Sequence, residues 1–303
     1  MFIKNTYFAS IENFLNYFLP WDNYGLNHGN YIYRGHSKTS YKLIPNVLRP
    51  ENRDSLLHFY HDRPEEKDKL KTQLYAEINI INSFFKIADR RGLKLPVSHI
   101  LRKGQIDHSW ILSIANNNGV WLPDDLHEIA ALAQHYGIPT RFLDWSHDPF
   151  VAIYFALENA TAESDIHIWK FDTEKVRLMS MFNNELKLLK FITPPYYDNP
   201  NLNAQQGLFT HFETILSSDS LSVRDKAKVD RRPLDERIYN SIDDEFKQEQ
   251  FFECITLEKG CAGRALKYLK DFGYGPSRIY PGYKGVADEA KRMHFLDARL
   301  TGL

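Results

Sequence analysis

The chain has two cysteines in 303 residues, Cys254 and Cys261, and neither belongs to a CxxC pair or a Cys/His spacing. That is too few for a disulfide scaffold, so both read as ordinary buried or half-buried thiols of a protein from a reducing interior, expected to be cytoplasmic. No uncharged apolar run reaches the roughly 18 to 20 residues that a membrane span needs, and the N-terminal "MFIKNTYFASIENFLNYFLP" has no continuous apolar stretch. Excess charge of either sign is also missing. With 38 Lys+Arg against 39 Asp+Glu the formal charge is -1, which excludes binding to bulk nucleic acid by charge alone. There is no internal repeat, glycine-rich phosphate loop, GxSxG or HExxH. The twelve histidines are scattered, and pairs such as His58/His61 and His127/His135 lack a third ligand, so no metal is expected.

What is present is a globular composition: 43% hydrophobic and 14% aromatic residues can offset chain entropy. Ser10 reads as the N-cap of a first helix carrying Ile11, Phe14, Leu15, Phe18 and Leu19 at helical spacing, with Pro20 as its stop. After a Gly29–Asn30 turn signal, "NYIYRGHS" alternates as a short strand that delivers Arg34 and Gly35 to its end. Residues 70–92 form a long amphipathic helix closed by Gly92. Residues 93–123 give a weak pattern, read as turns with one short helix. "PDDLHEIAALAQHYG" is a helix ended by Gly137. Residues 165–172, the region around Phe209, and "FFECITLE" alternate as strands, and two further helices follow toward the C-terminus. The charged stretch of residues 222–250 carries both signs and reads as a solvated helix or loop. Without a regular βαβα order, the fold class is α+β, a mixed, mainly antiparallel sheet flanked by helices.

The densest chemistry lies in "HYGIPTRFLDWSHDPFVAIYFAL", residues 135–157. Asp148 or Ser146 would cap a helix with Pro149 at its first position, while Trp145 and Tyr154 read first as core and second as surfaces for stacking on a base. Only one residue can be the cap, yet Arg141, Asp144, Ser146 and His147 crowd the same helix N-terminus, a natural place for an anion or phosphate. Arg141 either pairs with Asp144 or binds a ligand. Arg34 leaves an apolar strand beside a glycine that permits close backbone approach, so it enters a cleft or pairs with a buried carboxylate such as Asp144. Either His36 or His147 can serve as acid or base, and His135 reads first as a helix C-terminal residue.

Tyr33-Arg34-Gly35-His36, "LIPNVLR" ending at Arg49, "ALAQHYGIPTRFLDWSHDPFVAIYFA", "NAQQGLFTHFE" and "FGYGPSRIYPGYKGVA" together resemble the FRG domain family, named for a Phe-Arg-Gly tripeptide whose first place Tyr33 takes here. The resemblance runs from about residue 26 to 292, which implies an FRG domain over residues 26–303 behind an N-terminal helical extension of residues 1–25.

In motif order this family is similar to the ADP-ribosyltransferase-like superfamily. That implies NAD as ligand or substrate, held by the Tyr33-Arg34-Gly35 element, with an aromatic from "DPFVAIYFA" on nicotinamide. A carboxylate would stabilise the oxocarbenium character of C–N cleavage. By this resemblance the catalytic set is Arg34, Asp144, Gln206 and Glu213. Arg34, Gly35, His36, Arg49, Arg141, Trp145, Ser146 and Tyr154 would bind the ligand. "NAQQGLFTHFE" has Gln205 and Gln206 where a glutamate is expected, leaving Glu213 or Asp144 as substitutes. Three functions follow as expectations: an NAD-cleaving or NAD-transferring enzyme, such as a toxin or phage-defence effector; a non-catalytic sensor of a nucleotide or phosphorylated small molecule; and a protein-interaction domain.

Overall fold

Alternating apolar side chains need a second layer on each face, and in the computed structural model the strands meet that need as one seven-stranded sheet. Its order is β1 (Ile3–Phe8), β9 (Phe252–Leu257), β5 (Ile166–Asp172), β2 (Tyr31–His36), β4 (Leu143–Ser146), β7 (Gly207–Phe212) and β6 (Leu189–Ile192). Neighbours are antiparallel except β1 and β9, which run parallel in the register Ile3↔Phe252 to Phe8↔Leu257. A small ladder pairs β3 (Val120–Trp121) with β8 (Thr214–Ile215). The structure describes residues 2–19, 30–52, 68–104, 108–161, 163–196, 199–221 and 227–301. The expected α+β class with a mainly antiparallel sheet is what is found.

Three apolar layers hold the sheet. On one face α1 (Ile11–Asn16), α6 (Pro149–Glu158) and α10 (Ala262–Asp271) cover Tyr33, Ile168 and Ile255. The other face packs Trp145, Phe171 and Phe252, the last two stacked at 4.3 Å, beneath Val176 of α7 (Thr173–Ser180) and Leu234 and Ile238 of α9 (Leu234–Ser241). A third cluster gathers α2 (Leu70–Arg90), α4 (His108–Asn116) and α5 (His127–His135) around Trp121, Phe142 and Phe209. Short helices α3 (His99–Arg102), α8 (Pro200–Ala204) and α11 (Pro276–Ile279), then α12 (Tyr283–Thr301), complete the described elements.

Several local readings hold. Ser10 accepts from Asn13 N at the start of α1, and Asp148, rather than Ser146, caps α6 by accepting from Phe150 N. Gly92 and Gly137 follow α2 and α5 with φ of 69° and 89°. Others need correction. Residues 1–25 were expected to be an appended helix, but β1 is a full strand of the main sheet and Phe14 is wholly buried under α6 and its neighbours. The polar alternation of "IKNTYF" hid an edge strand whose register β9 sets. Residues 93–123 hold α3, α4 and β3 rather than one short helix, and α7 and β6 were not anticipated. Within the charged stretch, α9 buries Leu234 and Ile238 on its inner face. Pro20, Gly29 and the His58/His61 pair lie outside the described residues. Among the described residues no helix is long and apolar enough to cross a membrane.

Candidate functional site

The ladder between β2 and β4 contains a single residue pair, Tyr33↔Ser146, whereas β2 follows β5 through six. Beyond that one pair the two strands part, and the sheet forks at the C-terminal end of β2 and the N-terminal end of β4. Backbone groups along a fork lose their ladder partners and must find others. Arg34 supplies one: its Nη1 donates to the Asp144 carbonyl oxygen at 2.6 Å and lies 3.3 Å from Asp144 Oδ2. The sequence-level pairing of Arg34 with Asp144 is therefore present, although the shorter bond goes to the backbone. Asp144 is also held by Gln134 Nε2, which donates to Oδ1 at 2.5 Å, while Thr140 Oγ1 donates to Gln134 Oε1.

His36 sets the other side of Arg34. Arg34 Nε donates to His36 Nε2 at 3.2 Å, which requires a lone pair on that nitrogen and places the ring proton on Nδ1. Nδ1 faces the backbone of Tyr41 without a partner at hydrogen-bond distance. Burial, and after it the charges of Arg34 and Arg49, push His36 down to about 3, so the ring is neutral at ordinary pH. Arg34 is also pushed down, by burial first and by Arg49 in addition, with Asp144 acting against both. Its side chain is 14% exposed and that of Asp144 is 58% exposed. The arginine is thus a largely desolvated cation with Nη2 unspent, beside an open carboxylate.

These groups line a cavity of about 480 Å³ whose wall also includes Tyr41, Arg49, His135, Gln205 and Tyr280. Arg49 donates Nε to the Ile44 carbonyl at 3.0 Å, and among the described residues its two terminal nitrogens have no hydrogen-bond partner. A second cavity of about 270 Å³ shares Gln134, His135, Asp144, Trp145 and Gln205 with the first and continues along Leu132, Leu202 and Phe209. The site therefore has one lobe lined by two arginines and a second whose lining includes no arginine or lysine among the described residues, and both include Asp144. His135 bridges them; Asn201 Nδ2 lies 2.8 Å from its Nε2, and burial lowers its pKa.

Several expected site residues are spent elsewhere. Arg141 does not pair with Asp144 or reach the cleft; its Nε donates to both Glu77 oxygens, at 3.1 and 2.8 Å, in the core beneath α2, and its Nη1 donates to Thr214 Oγ1. Strand alternation explains the separation, since Asp144 and Ser146 point to one face of β4 and Leu143 and Trp145 to the other. Trp145 contributes to the lining, but its indole Nε1 donates to Thr210 Oγ1 at 2.9 Å and its ring packs on Phe171, so it has no free face for a base. Tyr154 is buried with its hydroxyl 3.2 Å from Glu158, and Tyr280, which donates to the same carboxylate, reaches the cavity in its place. Ser146 donates to the Gln205 carbonyl and accepts from Asp148 N. The N-terminus of α6 is filled by Asp148 itself, which Tyr274 contacts at 2.7 Å, so no anion cradle remains there.

Gly35 lines the cavity but serves packing: a Cβ on it would stand 1.9 Å from the Ala152 carbonyl oxygen of α6. Neither Gln206 nor Glu213 lines either cavity. Gln206 sits at φ 45° in the turn into β7, and Glu213 is buried beside Lys190, its pKa raised by that burial. Gln205 takes the position foreseen for Gln206, its side chain held by the Ile279 carbonyl. Sequence reasoning missed Gln134, Tyr41 and Tyr280, whose spacing carries no signal, since only the fork brings them to Arg34. Among the described residues no group of three or more His, Cys, Asp or Glu is arranged to hold a metal ion.

A family model described as FRG domain matches residues 29–165 of this chain, which include β2, the whole of α6, and every strand end that forms the fork. No curated protein and no solved structure matches it.

Proposed function

Residues 29–165 are an FRG domain, and on that premise we propose that the forked cleft binds a nucleotide carrying a diphosphate, with NAD the first ligand to test. The observation that carries this reading is the charge balance of the larger cavity: among the described residues that line it, Arg34 and Arg49 face one carboxylate, Asp144. Arg34 Nη2, on a guanidinium largely removed from water, suits contact with one phosphate oxygen, and the terminal nitrogens of Arg49 suit bidentate contact with a second phosphate. Joined cavities of about 480 and 270 Å³ fall within the usual range for small-molecule sites and supply separate lobes for the two halves of a dinucleotide. Such a ligand is intracellular, and the reading places the protein in a reducing interior, where its two cysteines, Cys254 and Cys261, stay free thiols.

Calorimetric titration with NAD, ADP-ribose, ATP and inorganic phosphate tests the reading. Arg49→Ala is the variant of choice because, among the described residues, Arg49 donates to one backbone carbonyl. Saturable NAD binding that falls at least about tenfold in Arg49→Ala, with unchanged melting, is expected for a lost charged contact. A wild-type protein that binds none of these nucleotides refutes it.

A second reading, cleavage of NAD at the nicotinamide–ribose bond, rests on Asp144 alone. Its carboxylate is more than half exposed at the junction of the two lobes while Arg34 and Gln134 fix its position. Placed beside C1 of the nicotinamide ribose, it would stabilise positive charge as the C–N bond breaks and neutral nicotinamide leaves. Water would then add to that carbon and release a proton. Nicotinamide release by the wild type, abolished in Asp144→Asn, supports an enzyme; NAD binding without release assigns the domain as a sensor.

A further inference from the structure

On the face of β4 and β7 opposite Asp144, a cavity of about 20 Å³ is lined by three arginines, Arg141, Arg232 and Arg237, together with Leu143, Thr210 and Phe212, and no carboxylate among the described residues lines it. Glu185 and Glu236 act on Arg232 from outside the cavity, and the carboxylates closer in are unevenly shared. Glu77 neutralises Arg141, but Asp230 must serve both Arg232, which donates Nε and Nη2 to it at 2.9 and 2.8 Å, and Arg237, whose Nε is 3.2 Å from Oδ2. Arg232 takes the carboxylate bidentately, so buried Arg237 Nε is left without an aligned acceptor. Its guanidinium lies 3.8 Å over the Phe212 ring, which fixes it in place without accepting its N–H bonds. Burial is the main cause that pushes Arg237 down to about 10, and Arg141 and Arg232 add to it.

Three donors remain for this cavity. Arg141 is 4% exposed; its Nε and Nη1 are used by Glu77 and Thr214, and its buried Nη2 has no partner. Arg237 contributes Nε. Thr210 is 2% exposed and accepts from Trp145 Nε1, so its hydroxyl proton is available to a further acceptor. A buried donor left unpaired costs about 1 to 3 kcal/mol, more when charged, so three around one small space call for an acceptor there. A volume of about 20 Å³ holds one particle of water or halide size. Water would satisfy the donors, whereas a monatomic anion would also offset the guanidinium charge of a wall that includes no carboxylate among the described residues.

We propose that this cavity is a binding site for a single halide-sized anion, chloride in the cell, held by Arg141 Nη2, Arg237 Nε and the Thr210 hydroxyl. It is distinct from the nucleotide cleft and does not depend on that assignment.

The test compares thermal unfolding of the full chain in sodium chloride and in sodium gluconate at equal ionic strength, with chlorine-35 NMR line width as a direct readout of binding. Expected is a saturable rise in Tm with chloride, about 3 to 6 °C at tenfold excess over Kd, and a broadened resonance that bromide narrows by competition. Arg237→Gln should remove both effects, and Thr210→Ser, which keeps the hydroxyl, should retain them. If Arg237→Gln fails to fold, Arg237→Lys, which keeps charge but loses the directed fork, should raise the chloride Kd about tenfold. Equal Tm in the two salts with an unbroadened resonance overturns the proposal, as does an undiminished chloride effect in Arg237→Gln or Arg237→Lys. Stabilisation by phosphate but not chloride overturns the assignment to a monatomic anion.

Discussion

At Gly35 the backbones of β2 and α6 are too close for a side chain. A methyl group there would come within 1.9 Å of the Ala152 carbonyl oxygen, 3.0 Å of its carbon and 2.8 Å of the Ala156 nitrogen, all backbone atoms of α6. An ordinary contact needs about 3.5 Å or more, and a helix carbonyl cannot rotate out of the way as a side chain can. Gly35→Ala must therefore push α6 off β2 by more than an ångström, although Val151, Ala152, Ile153 and Ala156 are each at most 1% exposed in the core beneath it. Overpacking costs about 1 to 3 kcal/mol where side chains can adjust, and an immovable backbone puts this case at about 3 kcal/mol or above. At roughly 2 to 4 °C per kcal/mol, Tm should fall by about 6 to 12 °C. Because the obstacle is backbone, Ala152→Gly should not rescue the variant. Equilibrium urea unfolding followed by far-UV CD supplies the number. A Gly35→Ala protein within about 0.5 kcal/mol of wild type, or one rescued by Ala152→Gly, would refute the claim that this glycine exists for helix contact.

Arg141→Met should cost about 3 to 5 kcal/mol by leaving Glu77 charged in the core with Gln73 and Trp121 as its remaining donors, and Glu77→Gln/Arg141→Met should recover part of that loss in urea unfolding. Nucleotide affinity of the folded Arg141→Met protein should stay at the wild-type value, and a tenfold loss would return Arg141 to the ligand site. Arg34→Lys keeps the charge but loses the His36 bond and the fork, so it should weaken nucleotide binding by tenfold or more and also cost about 1 to 3 kcal/mol in thermal melting. His36 stays neutral down to about 3 in the folded chain but takes a proton near 6.5 when unfolded, so its contribution is complete above pH 6.5 and is lost as pH falls toward 3. Between pH 7 and 4.5 that amounts to about 2 to 3 kcal/mol, and His36→Gln, which still accepts from Arg34, should flatten the pH dependence of urea unfolding by this amount.

Much of the chain could be read without its neighbours. Ser10 and Asp148 announce their helices because a cap bonds to residues two or three places away, and the pattern of residues 31–36, 166–172 and 252–257 is a local property of extended chain. Arg34 and Asp144 could be named as partners because each is a charge at the end of an apolar element, too costly to bury alone. Tertiary structure decided the rest. Arg141 and Asp144 are three residues apart, yet one pairs with Glu77 in the core and the other faces the cleft. Whether a guanidinium in such a segment meets a ligand or a carboxylate from a distant helix depends on how the chain enters β4, which only the packing of α2 and β7 around it fixes. β1 went unseen because an edge strand takes its pairing from β9, some 250 residues away. The cleft follows the same rule, for it opens where β2 and β4 part after one residue pair, and no short-range pattern specifies where two strands separate.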